Sequence, residues 1–176
     1  MVLIIAQIIG LFAVSLYLLS YQLKKRSHIV WVTCVANGLY VLQYLLLGAY
    51  AGAVMDVVST VASFCAAQKD KPGLKKYAKL ILFVNMALIV SIGLAVAIIR
   101  GNPIELLPIG GAFFPVFGLF FDREQTIRKF GLLGAPFWLI YNFITRAYGA
   151  SVGSAISIVS IIVSLIRYRQ KKPKNA

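Results

Sequence analysis

An all-α integral membrane protein is the predicted fold: seven transmembrane helices in 3+1+3 order, two parallel three-helix repeats joined by a linker helix. Three observations predict it. Seven apolar stretches of bilayer-crossing length are strung on 176 residues. Nearly every basic residue falls in alternate gaps between them. The chain also overlays on itself at an offset of 98 residues. A hydrophobic fraction of 60% and a mean hydropathy of +0.86 exclude a soluble domain.

The spans read as 2–22, 28–48, 50–67, 76–99, 104–121, 126–146 and 149–168, each near the roughly 20 residues that cross about 30 Å of hydrocarbon. The first has no basic segment before it and Lys24, Lys25 and Arg26 after it, which predicts a permanent helix and not a cleaved signal. The gaps after spans one, three, five and seven hold all of the 18 basic residues except Arg100 and Arg146. Cytoplasmic loops attract Lys and Arg, so the amino terminus is expected outside and the carboxyl terminus in the cytoplasm. A formal charge of +13 would suit nucleic acid, but no basic residue lies on a structured soluble face, so no nucleic-acid partner is expected. The basic tail, 169–176, suits anionic lipid headgroups. Cys34 and Cys65 lie inside spans without a CxxC or histidine companion and read as small apolar packing residues; no disulfide and no metal site is expected. His28 reads as a solvated turn residue.

In the 98-residue overlay, Ala49, Tyr50, Val54, Ser59 and Val61 meet Ala147, Tyr148, Val152, Ser157 and Val159. Two three-span units in direct succession would be mutually inverted, yet the basic gaps assign both the same orientation. The fourth span supplies the missing crossing. This divides the chain into a first repeat (1–67), a cytoplasmic loop with linker helix (68–101), a second repeat (102–168) and the tail. Gly10 aligns with Pro108 and Gly38 with Pro136, which predicts bends at equivalent depths. Pro108 and Pro115 are the candidate hinges, and close packing through small residues is the alternative role.

Asp56 is the one acid in the middle of a span. An ionised carboxylate there costs several kcal/mol, about 3 on insertion scales, so it must be neutral, paired or facing water. Helical spacing sets Gly52, Asp56, Ser59 and Ser63 on one stripe, and Ser154, Ser157 and Ser164 on the matching stripe of span seven. Asn37, Tyr40 and Tyr44 share a face of span two; Trp138, Asn142 and Thr145 share the counterpart on span six. From these the candidate site is Asp56 and Ser154 for solute or a coupled proton, Asn37 and Asn142 for hydrogen bonds, and Tyr44 and Trp138 as walls. The remaining serines read as helix contacts, and Glu105 either lines a vestibule or sits in the interface beside Pro103. No HExxH, Gly-x-Ser-x-Gly, phosphate-loop or dinucleotide pattern occurs, and Asp56 has no second carboxylate in the spans to form a dyad, so neither an enzyme nor a cofactor is expected.

The stretch Pro115 to Gln125 resembles the first helix of a unit of the SWEET or PQ-loop (MtN3-like) transporters, where a proline precedes a short polar turn by about ten residues. Tyr17 takes the proline's place in the first unit, and Lys24-Lys25-Arg26-Ser27 resembles that family's basic turn. Asp56 falls where a SWEET-like third helix often carries an asparagine; neither it nor its repeat mate Ser154 is one. The chain also lacks the Pro-Gln dipeptide, and its prolines concentrate in the second half. Asn37-Gly38-Leu39-Tyr40, Gly48-Ala49-Tyr50-Ala51-Gly52-Ala53 and Ile104-Glu105-Leu106-Leu107-Pro108 resemble the YgjV-type family of bacterial inner-membrane proteins over essentially the whole chain. That resemblance implies a multi-pass protein of the bacterial inner (plasma) membrane with a distant SWEET-like relation and no established activity. The expectation is alternating access of a small polar solute around a midplane site. The competing expectation is a non-transporting membrane protein that binds a lipid or a membrane partner; oligomeric state is not written in the chain.

Overall fold

Turns of two to a few residues leave consecutive apolar stretches no option but to run antiparallel. The computed structural model describes residues 2–168, so the basic tail with Arg169, Lys171, Lys172 and Lys174 lies outside the described residues. Among these it contains seven α-helices and no strand: α1 (Val2–Gln22), α2 (Arg26–Leu47), α3 (Tyr50–Gln68), α4 (Ala78–Arg100), α5 (Leu107–Leu119), α6 (Glu124–Ile144) and α7 (Tyr148–Arg167). Short 3-10 turns, Lys75–Tyr77 and Pro103–Leu106, precede α4 and α5. Helices α1 to α4 and α7 are long and apolar enough to cross a membrane. Helix α5 is shorter, and α6 carries Glu124, Arg128 and Lys129 near its start.

The ends depart from the sequence expectation where turn chemistry intervenes. Expected span 104–121 is a 3-10 turn followed by a helix of 13 residues. Pro103 opens the turn, and the Asn102 side chain accepts from the Ile104 N–H. Pro108 stands in the first turn of α5, where a missing N–H costs nothing. The bend expected there to match Gly10, which sits well inside α1, is therefore a junction between two helix types. Span six ends at Ile144 and not at 146: the Thr145 hydroxyl donates back to the Tyr141 carbonyl, and Arg146 turns left-handed at φ 60°. Helices α2 and α4 end in glycines of positive φ, Gly48 and Gly101, where a side chain would be strained.

Each helix packs on its chain neighbours in the orders α1–α2–α3 and α5–α6–α7; α7 returns to α1 and α3 meets α5, which closes a circuit of six. Helix α4 lies outside that circuit against α3 and α5. Glycines allow the close approaches: a Cβ at Gly134 would stand 3.0 Å from the Gly111 carbonyl, and Gly93 faces Ile109 and Met55. Leu3, Ile4, Leu11 and Phe12 of α1, and Phe83, Ile98 and Ile99 of α4, are exposed and suited to hydrocarbon.

Candidate functional site

Where the circuit encloses its axis, polar side chains from α2, α3, α6 and α7 meet around a small cavity of about 40 Å³. Asn37, Tyr44, Asp56, Trp138, Asn142 and Ser154 all line it, and so do Tyr17, Tyr40 and Ser157. A second lobe of about 20 Å³ extends towards α5, shares Asp56, Asn37 and Trp138, and is walled by Pro115. Asp56 is 5% exposed. Its backbone carbonyl accepts from the Thr60 hydroxyl at 2.7 Å, but among the described residues nothing donates to its carboxylate and no cation pairs with it. The Ser59 hydroxyl beside it is likewise buried without a partner.

Four of the other cavity groups, Tyr44, Asn142, Ser154 and Asn37, are hydrogen-bonded within the protein. Tyr44 Oη donates to Asn142 Oδ1 at 2.5 Å, two positions 98 apart in the chain. Asn142 Nδ2 donates to Ser154 Oγ at 3.2 Å, and Asn37 Nδ2 to Ser63 Oγ at 3.4 Å. The Tyr44 ring lies between Tyr40 (centroids 6.1 Å apart, 23°) and Trp138 (5.9 Å, 15°), and Tyr141 meets both Tyr44 and Trp138 edge-on. Tyr141 Oη accepts from the Gly52 N–H at 3.0 Å, one of the amides that the start of α3 leaves unpaired. A Cβ at Gly52 would stand 2.9 Å from the Tyr141 ring, so glycine is what lets the Tyr141 and Tyr44 rings lie against α3. Together they form a lid at the end where α2 and α6 finish.

Residues 4–172 match the family described as Imp-YgjV, bacterial inner membrane protein. The chain belongs to that family. No curated protein and no solved structure matches it. Membership of Imp-YgjV makes it a bacterial inner membrane protein, in keeping with five apolar helices of spanning length.

The opposite end of this Imp-YgjV protein, which carries the lysine-rich turns, is closed by two arginines that sequence reading treated only as topogenic charge. Arg128 is 2% exposed; its Nε donates to the Tyr21 carbonyl at 3.1 Å and Nη2 to the Leu23 carbonyl at 2.8 Å. Arg26 donates from Nη2 to Leu119 (2.8 Å) and Ala66 (2.9 Å) and from Nε to Phe121 (3.0 Å). Leu119 and Phe121 stand 98 positions after Tyr21 and Leu23, so each guanidinium fork caps the matching carbonyls of α1 or α5. Lys69, nearly buried, bridges Asp122 (2.5 Å) and Asp70 (3.1 Å), and Asp70 also pairs with Arg26. The hydrogen bond from Lys69 holds the Asp122 carboxyl below the usual carboxylate range, with Arg26 and Lys75 adding to it.

A group with a depressed folded pKa contributes stability above its unfolded pKa, about 4, and loses it as pH falls through the lower folded value. With the Asp122 side chain 81% exposed the contribution is small, well under about 1 kcal/mol. Asp122→Asn is therefore expected to melt no more than about 3 °C below the parent at pH 7, with the gap closing towards pH 3. Melting curves of both proteins across that range test it; a gap that widens with acid contradicts the pairing.

The remaining sequence candidates fall elsewhere. Ser164 accepts from Gln22 Nε2 at 2.7 Å and serves a helix contact. Thr145 ends α6 away from the cavity. Glu105, largely buried and lining neither lobe, lies 3.9 Å from Arg100, with its other carboxylate oxygen unpartnered. Cys34 is buried with its thiol towards the Thr60 carbonyl, Cys65 is free, and His28 is exposed. Among the described residues no group of His, Cys, Asp or Glu has the makings of a metal site.

Proposed function

We propose that this protein carries a small solute across the bacterial inner membrane by alternating access around the Asp56 cavity. Helices α1–α3 and α5–α7 act as two parallel three-helix units, with α4 the linker that gives both the same orientation, the amino terminus outside. The observation that carries this reading is a partnerless acid in a central cavity that lies between two sets of contacts joining the halves. The aromatic lid closes the outer side and the arginine clamps the cytoplasmic side. Both seals consist of exchangeable hydrogen bonds and stacked rings, so one opens while the other holds. Pro115, beside the second lobe, and Pro108, at the start of α5, are the points where the second unit bends. Asn37, Asn142 and Ser154 orient the solute, and Tyr44 and Trp138 wall it; the chain is a carrier, not an enzyme, and needs no cofactor.

Uptake of a panel of radiolabelled metabolites into proteoliposomes tests the proposal. Saturable flux above that of protein-free vesicles is expected for at least one solute, falling more than about tenfold in Asp56→Asn and Asp56→Ala. Flux at the parental rate in both variants removes Asp56 from the mechanism. Absence of flux for every solute, in vesicles shown to hold folded protein, sinks the carrier reading.

A further inference from the structure

The cavity is selective in charge before it is selective in shape. No Lys, Arg or His lines either lobe, so nothing there compensates a phosphate or carboxylate. The single ionisable group of formal charge is Asp56, without a protein partner. Keeping such a carboxylate ionised without a counter-charge inside the bundle costs several kcal/mol, on the order of the penalty for one unpaired buried ion, and a cation that enters with it offsets that cost.

Four of the polar groups around it are tied to protein acceptors, while the Ser59 hydroxyl has no partner. Tyr44 donates to Asn142, Asn142 to Ser154, Ser154 to the Ala150 carbonyl at 2.9 Å, and Asn37 to Ser63. Among the lining groups the unmet charge is that of the Asp56 carboxylate alone. A solute that donates N–H and carries positive charge meets that carboxylate with both. The walls point the same way. Tyr17, Tyr40, Tyr44 and Trp138 surround the space, and an aromatic face attracts a cation placed over it, more strongly when water is excluded.

We propose that the solute is a small organic cation, an amine or a quaternary ammonium compound, held by the Asp56 carboxylate among the rings of Tyr17, Tyr40, Tyr44 and Trp138. Lobes of about 40 and 20 Å³ hold only a few heavy atoms in this closed state, a water needing about 10–15 Å³ on the same measure. The cation is therefore compact: ethylamine, with three heavy atoms, fits the lobes as they stand, and choline, with seven, is the upper limit and requires them to widen. This deepens the carrier proposal and rests on it for the claim that the cation moves; the binding claim stands alone.

Thermal unfolding of the purified protein in nanodiscs, with ethylamine and choline against their uncharged isosteres ethanol and 3,3-dimethylbutan-1-ol and against glucose, tests the charge class. Flux of labelled choline and ethylamine into proteoliposomes is measured beside it. A ligand that binds only the folded state raises the melting temperature by mass action. Ethylamine or choline is expected to give a saturable rise, the isosteres and glucose none. Asp56→Asn, nearly isosteric and expected to melt cooperatively, loses the rise. Trp138→Leu weakens apparent affinity about thirtyfold, the size of a desolvated cation–π contact. Saturable stabilisation by an isostere or glucose that survives in Asp56→Asn overturns the cationic class while leaving the carrier reading standing. Stabilisation by the amines without flux upholds the cation site and removes transport. No shift from any of these compounds, in protein that melts cooperatively, overturns the cation site.

Discussion

Arg128→Ala is expected to lower the melting temperature of the purified protein by roughly 6–12 °C, corresponding to about 3 kcal/mol at a few degrees per kcal/mol for a chain of this size. The guanidinium is almost wholly buried, reaches two carbonyls at the end of α1 and lies 4.8 Å from the Tyr168 ring. Truncation removes a stacking partner and leaves both carbonyls without a donor inside the protein. Arg128→Lys does not restore the parental value, because a single ammonium cannot bridge carbonyls two residues apart as a planar fork does. Arg123→Ala, exposed and five residues earlier, changes stability by less than about 0.5 kcal/mol. If Arg128→Ala melts with the parent, the desolvation cost of the guanidinium equals everything its bonds return, and the clamp is neutral. A drop in Arg128→Ala accompanied by faster leak of solute through reconstituted vesicles ties the clamp to closure of that end as well as to folding.

Helix positions were legible because the bilayer imposes one length and one composition on every crossing. Six of the expected spans lie within about two residues of an observed helix at each end. The fifth does not, because the 3-10 turn opened by Pro103 takes up its first residues and the α-helix starts only at Leu107, beside Pro108, and hydropathy does not register which backbone N–H is missing. The candidate cavity was legible through helical spacing: Asn37 and Tyr44 on α2, Asp56 on α3, and Trp138, Asn142 and Ser154 on α6 and α7 face one space. Tyr40 was readable as the 98-residue mate of Trp138. Arg26, Lys69 and Arg128 were not readable as structural residues, because positive charge near a span end serves topology so often that its burial leaves no trace in composition. Nor was Tyr141, whose hydroxyl finds the Gly52 amide only once α3 and α6 are packed.

Register also exposes a size exchange between the two seams of the circuit, and it yields a prediction of comparable magnitude. Val14 of α1 packs on Gly153 of α7; a Cβ added at Gly153 would stand 3.0 Å from the Val14 Cβ and nearer still to both its methyls. Shifted by 98 residues, Val14 becomes Ala112 and Gly153 becomes Met55, which share one buried cluster where α5 meets α3. One seam thus sets a large residue on the first helix against a small one on the third, and the other seam reverses the sizes. On the proposed two-unit architecture the volumes are exchangeable. Gly153→Met alone is expected to overpack the α1–α7 seam by about 3 kcal/mol or more, seen as loss of cooperative melting or of the monodisperse folded fraction. Val14→Ala alone opens a cavity worth about 1–2 kcal/mol. Combined, they reproduce the arrangement of the other seam, and the double variant is expected to melt above Gly153→Met, a coupling opposite in sign to additivity. The outer side of the α1–α7 seam carries no equivalent of α4, whose Gly93 lies 3.4 Å from Met55 Sδ measured from an added Cβ, so lipid accommodates what the new methionine displaces. A double variant less stable than either single one means that the seams do not share a packing solution, and the parallel between the two halves ends at the cavity.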